Sequence, residues 1–159
     1  MQDQDIAMKN LDLNKFEGMW HEIVKTKSPL SATDEYSVYK YTLQPDETIK
    51  LEIFQQKSGK EEKIDTIATF DSNLPSVWKI KYQQSFLSSL YLDAIIIDTD
   101  YDNYAILYAK IYLWFFTKEM AWIMSRKKKL PAKTIKKLLK KLEKTTNIKK
   151  ESMVFNLCK

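Results

Sequence analysis

The sequence predicts an all-β fold, an antiparallel meander of eight strands closing as an up-and-down barrel, followed by one α-helix. Three observations predict it. Apolar and polar residues alternate with period two across residues 18–126, the mark of half-buried strands. No strand–helix–strand rhythm interrupts that region, so antiparallel neighbours are the natural connection. After Pro131 the apolar spacing becomes helical. Eight strands can close around room for one small ligand.

Each element has its own signal. Trp20, Glu22, Val24 and Thr26 share one face of the first strand, and Ser37, Tyr39, Tyr41 and Leu43 one face of the second. Pro45-Asp46-Glu47 then forms a turn. Ile49, Leu51 and Ile53 alternate with Lys50, Glu52 and Phe54 in the third strand. A Ser58-Gly59-Lys60 turn leads to Ile64, Thr66, Ala68 and Phe70, and Asn73-Leu74-Pro75 breaks the pattern. Trp78, Ile80 and Tyr82 alternate with Lys79 and Lys81. Ala94 to Ile97 are apolar on both faces, as for a strand covered inside and out. Tyr104 to Tyr108 and Met120 to Arg126 complete the eight. Pro131 opens a helix to about residue 145, where its missing N–H costs nothing. Ile135, Leu138, Leu139 and Leu142 form its apolar stripe, expected to pack on the barrel wall because exposed stripes are a solubility liability.

A chain of 159 residues with 44% hydrophobic and 30% charged content suits one domain with a real core. We place that domain at residues 11–150, between a polar tail at 1–10 and a tail at 151–159. No apolar run is long enough for a membrane helix, and residues 1–10 lack the pattern of a signal peptide. Cys158 stands alone, so no internal disulfide forms. Residues 126–150 carry twelve Lys or Arg and one acid, Glu143, a net of +11, against −6 for the remainder. That stretch reads either as a solvated helix face or as weak attraction to an anionic surface.

Gly18-Met19-Trp20, following Leu11-Asp12-Leu13-Asn14-Lys15-Phe16, has two distant companions, Thr99-Asp100-Tyr101 and Arg126. In this order and spacing the three motifs resemble the lipocalin family, most closely the bacterial lipocalin and apolipoprotein D branch, over residues 11 to 150. The resemblance implies a lipocalin barrel with the helix packed on its wall. It also implies a non-enzymatic carrier or store for a hydrophobic small molecule, with fatty acids and lysophospholipids as the ligand class. Export is implied by it too, to the periplasm, the outer membrane or outside the cell, although residues 1–10 show no signal peptide. Gly18, Trp20, Thr99, Asp100, Tyr101 and Arg126 are then structural residues of a closed end, where a guanidinium over an indole face gains roughly 0.5–2 kcal/mol.

With that end closed, the mouth falls to loops at Ser28–Glu35, Ser58–Lys60, Gln83–Leu90 and Tyr108–Glu119, the last holding an aromatic tip at Trp114 to Phe116. Phe86, Leu87 and Leu90 lie in the neighbouring loop. The expected cavity lining is Glu22, Val24, Thr26, Tyr39, Tyr41, Leu51, Ile53, Ile64, Thr66, Ala68, Trp78 and Ile80, with Ser37 a further polar position. Such a lining suits an acyl chain with a small polar head. Glu22 reads either as a contact for that head or as a carboxylate bonded to a Tyr or water. His21, the one histidine, points outward, and no catalytic, metal or cofactor motif appears. An alternative is a membrane- or partner-binding module using the aromatic mouth and the lysine-rich helix. A lipocalin-fold isomerase is the weakest reading, because no barrel cysteine supplies a nucleophile. Nucleic acid is not an expected partner, and the chain is expected as a monomer or weak homodimer.

Overall fold

The computed structural model describes residues 3–27, 36–57, 59–84, 87–113 and 115–156. Its strands are β1 (Gly18–Thr26), β2 (Ser37–Leu43), β3 (Ile49–Lys57), β4 (Lys60–Asp71), β5 (Leu74–Gln84), β6 (Leu87–Thr99), β7 (Tyr104–Leu113), β8 (Phe116–Ser125) and β9 (Met153–Phe155). A short α1 (Leu13–Phe16) precedes β1, and α2 (Ala132–Thr145) follows β8. Strands β2 to β8 pair in chain order, β8 pairs with β1, and β1 returns to β2. The eight strands thus close a barrel, and β9 adds to β1 outside the ring.

Period-two alternation divides the side chains between two cores. The inner one holds Leu51, Ile53, Ala68, Trp78, Ile80, Leu92, Ala94, Ile96, Leu107, Ala109, Ile111, Met120 and Met124. The outer one places Ile95, Ile97, Ile106, Tyr108, Ala121 and Ile123 under Leu138 and Leu142 of α2. Ala94 to Ile97 are apolar on both faces for this reason: the even positions face the interior and the odd ones face the helix. Lys141 Nζ also reaches Asp98 Oδ2 at 2.6 Å, while Tyr104 Oη donates to the same oxygen at 3.0 Å. The helix is therefore fixed to the wall by packing and by the Lys141–Asp98 ion pair at its margin.

Several expectations need correction. The period-two face of β1 is interrupted by a bulge between Glu22 and Val24, and an extra residue moves every later side chain to the other face. Val24 accordingly packs in the outer core, and Thr26 bonds Ala121 and Met153 there, while Lys25 turns inward opposite Trp122. Tyr108–Glu119 is not a loop but the ends of β7 and β8, paired through Leu113 and Phe116. Gln83, Gln84 and Leu87–Leu90 likewise lie in β5 and β6. Pro131 takes the N-cap position, one residue before the helix proper.

The terminal stretches also carry structure. Ala7 is buried in the outer core, Met8 N donates to Ile96 O at 2.9 Å and Ser76 Oγ to Met8 O at 2.8 Å. Strand β9 pairs Phe155, Val154 and Met153 with Val24, Lys25 and Thr26. Strand β9 and Asn156 therefore lie along the bulged half of β1, beyond the Gly18–His21 segment that pairs with β2.

Truncating Leu142, buried between helix and wall, to Ala should cost about 2–5 kcal/mol in urea unfolding. Ile135, only half-buried, should cost about 1 kcal/mol or less when cut to Ala. Equal losses at the two positions would contradict docking of α2 through Leu138 and Leu142.

Candidate ligand-binding site

The closed end is built around Arg126. Its guanidinium carbon lies 3.8 Å from the Trp20 ring centroid. Nη1 donates to Met19 O at 3.0 Å, Nε to Tyr101 O at 2.8 Å, and Nη2 to Lys15 O, Phe16 O and Glu17 O at 2.9–3.1 Å. One planar cation thus ties α1, β1 and the β6–β7 turn together. Gly18 has φ +106°, and a Cβ there would meet Arg126 Nη1 at 3.1 Å, so this residue must combine a left-handed backbone with room for the guanidinium.

The β6–β7 turn is pinned by its own side chains. Thr99 Oγ1 donates to Tyr104 O at 2.6 Å and accepts from Tyr101 N at 2.9 Å. Asp100 accepts from the Asn103 and Tyr104 amides at 2.8 and 2.9 Å and from Asn103 Nδ2 at 2.9 Å; burial pushes its carboxyl up, but these hydrogen bonds together hold it below the usual range. Tyr101, at φ 67°, sends its hydroxyl to accept from Asp12 N at 3.1 Å. The structure therefore brings Gly18, Trp20, Thr99, Asp100, Tyr101 and Arg126 into one assembly.

Above that end Phe16 forms a floor that the sequence reading did not identify. It stacks on Trp20 at 5.1 Å and meets Tyr41 and Trp78 at 5.5 and 5.7 Å. Tyr41 and Trp78 thus belong to the floor rather than the open space. Asp12 caps α1 by accepting from the Asn14 and Lys15 amides, and this single turn delivers Phe16 into the barrel. Leu51, Ile53, Ala68 and Ile80 are buried on the inner face, and Thr66 joins them opposite Leu51. Tyr39, Ile64 and Trp122 also pack on the inner core, yet they are only half-buried. Inward side chains that retain accessible surface border space the protein does not fill.

The bulge brings Lys25 beside Glu22 on this inner face. Glu22, 1% exposed, accepts from Tyr39 Oη at 2.9 Å and sits 3.3 Å from Lys25 Nζ, itself in a residue 7% exposed. Asn156 Nδ2 donates to Glu22, and Asn156 N donates to the bulge carbonyl of Ile23 at 2.9 Å. Loss of water on burial pushes the Glu22 carboxyl up, opposed by the Lys25 charge and by the Tyr39, Lys25 and Asn156 hydrogen bonds. Lys25 and Asn156 escaped the sequence reading because a bulge and a three-residue strand leave no periodic trace.

At the mouth, Ser37 is buried opposite Gln55, whose Nε2 donates to Glu62 Oε2 at 2.8 Å. Lys118 pairs with inward-facing Ile111, and burial pulls its ammonium below the usual lysine range. Phe115 and Phe116 are 93% and 61% exposed. Ser28–Glu35, Ser58, Phe86 and Trp114 lie outside the described residues, as do the side chains of Leu87 and Leu90. His21 faces away from the cavity, bonded to Tyr36.

A model of the lipocalin-like domain family matches residues 11–152. Apolipoprotein D from Cavia porcellus is 33% identical over 152 residues, covering 92% of this chain and 77% of that protein. Insecticyanin from the tobacco hornworm Manduca sexta superposes with a TM-score of 0.80 at 20% identity, covering 96% of this chain and 84% of that one. Lobster apocrustacyanin A1 superposes at 0.73 with 22% identity, covering 91% and 78%. The chain belongs to the lipocalin family and is related to apolipoprotein D.

Glu22 sets a pH signature. A carboxyl held above its ordinary 4.5 binds its proton more firmly folded than unfolded, so stability is lost as pH rises from 4.5 through the raised folded value. The parent's stability relative to Glu22→Gln should therefore fall across that window in denaturation at stepped pH. A constant or rising difference would contradict the burial of an ionisable Glu22.

Proposed function

We propose that this lipocalin binds a long-chain fatty acid or lysophospholipid in its barrel and carries or stores it outside the cytoplasm without chemical change. Membership of the lipocalin family points to a small hydrophobic ligand. The observation that carries it is the partial exposure of inward-facing Tyr39, Ile64 and Trp122. Space bordered by two aromatic rings and an aliphatic side chain favours an acyl chain. The floor of Phe16, Trp20, Tyr41 and Trp78 limits its depth, so the polar head lies toward the mouth. There Lys118 faces the interior and supplies a cation for a carboxylate or phosphate.

Phe115 and Phe116 support a second role at the same end. Exposed rings at the barrel mouth fit transient contact with a membrane interface or partner during loading and release.

Ile64→Arg puts a charge into the interior from a half-buried position, so the barrel should survive while ligand binding falls by at least about a hundredfold, since stranding a charge costs several kcal/mol. Titration with palmitate and lysophosphatidylcholine, read by Trp fluorescence, should saturate at one ligand per parent chain. A folded Ile64→Arg protein that binds normally, or a parent that binds neither, would overturn the proposal.

A further inference from the structure

Helix α2 docks with only part of its apolar surface. Leu138 and Leu142 are buried, but Ile135 and Leu139 remain half-buried. With Ala132 and the 51%-exposed ring of Phe155 they floor a groove of about 590 Å³ between α2 and β9. Lys136, Lys140 and Lys150 rim this groove together with Glu143. The Glu143 carboxylate already accepts from Lys150 N at 3.0 Å, so it is committed to the backbone beside it. Positions 132, 135, 136, 139, 140 and 143 follow helical spacing, so the groove runs along the length of α2.

We propose that this groove is a docking surface for an anionic lipid bilayer, separate from the ligand cavity in the barrel. Charge complementarity selects that occupant. The three rim lysines belong to the 126–150 stretch of net +11 on a body of −6, so the field around the groove is strongly positive where the rest of the molecule is negative. Lysine stems lie along apolar surface while their ammonium groups reach outward to lipid phosphates. Ile135, Leu139 and Phe155 enter the acyl boundary between those heads, as on an interfacial amphipathic helix. A nucleic acid would match the charge but has no use for an aliphatic floor. A second copy would face one lysine rim with another, and like charges across an interface are penalised.

Cosedimentation of the full chain with vesicles tests this. It should bind phosphatidylcholine vesicles containing phosphatidylglycerol, should not bind phosphatidylcholine alone, and should be released by added salt. Lys136→Gln with Lys140→Gln and Lys150→Gln should lower partitioning about a hundredfold. Leu139→Ser with Phe155→Ser should lower it about tenfold with every lysine in place. Circular dichroism melts establish that each variant is folded, and Phe155→Ser alone serves if the double variant is not. Replacing the exposed barrel lysines Lys60, Lys79 and Lys81 by Gln makes the same charge change elsewhere and should leave most of the binding.

Equal loss in that control would reduce the effect to net charge and overturn the site. So would binding that survives both groove variants and disappears in Phe115→Ser with Phe116→Ser. Absence of parental binding, or a vesicle-free dimer abolished by Phe155→Ser in sedimentation velocity, would also overturn it.

Discussion

The contact of Arg126 with Trp20 is the constraint on which the rest of this barrel depends. A guanidinium is the side chain able to lie flat on an indole and still donate to carbonyls around its edge. Here it serves Lys15, Phe16, Glu17, Met19 and Tyr101. These carbonyls belong to a short helix, the start of β1 and the β6–β7 turn, the last more than 80 residues beyond the other two. Tying them closes one end, seats Phe16 on Trp20 and leaves the other end as the route to the interior. Gly18 allows the cation that close approach.

A second constraint is the bulge in β1. By inserting one residue between Glu22 and Val24, it turns Lys25 inward beside Glu22 and hands Val24 and Thr26 to the outer wall. Along the same strand Gly18–His21 pair with β2 and Val24–Thr26 with β9, and Asn156 reaches both Glu22 and the Ile23 carbonyl. Barrel strands commonly use bulges to re-aim side chains in this way.

Much of this was legible in the sequence, for physical reasons that differ by element. Strands β2 to β5 are amphipathic, so alternation reveals both their existence and their inner face. Gly18, Trp20 and Arg126 are legible through the resemblance of three ordered motifs to the lipocalin family, since Gly-x-Trp alone is a weak signal. The bulge was not legible, since Ile23 and Val24 are both apolar and either could face inward. Strand β9 has three residues and α1 four, too short for any period. The β7–β8 hairpin was mistaken for a loop because Ile111 to Phe116 are continuously apolar, hiding an alternation that the backbone pairing restores. Lys25 shows the limit of composition: a lysine on a strand reads as solvated, yet its partner is a buried carboxylate.

The central claim is that one cation holds the closed end together, and hydrogen exchange on Arg126→Lys tests it most directly. An ammonium keeps the charge but lacks the planar fork that reaches five carbonyls. The account predicts faster amide exchange in residues 13–20 and 99–104, with protection retained across β3, β4 and β5 on the far side of the barrel. Unchanged protection at the closed end, or uniform loss over the whole barrel, would contradict it.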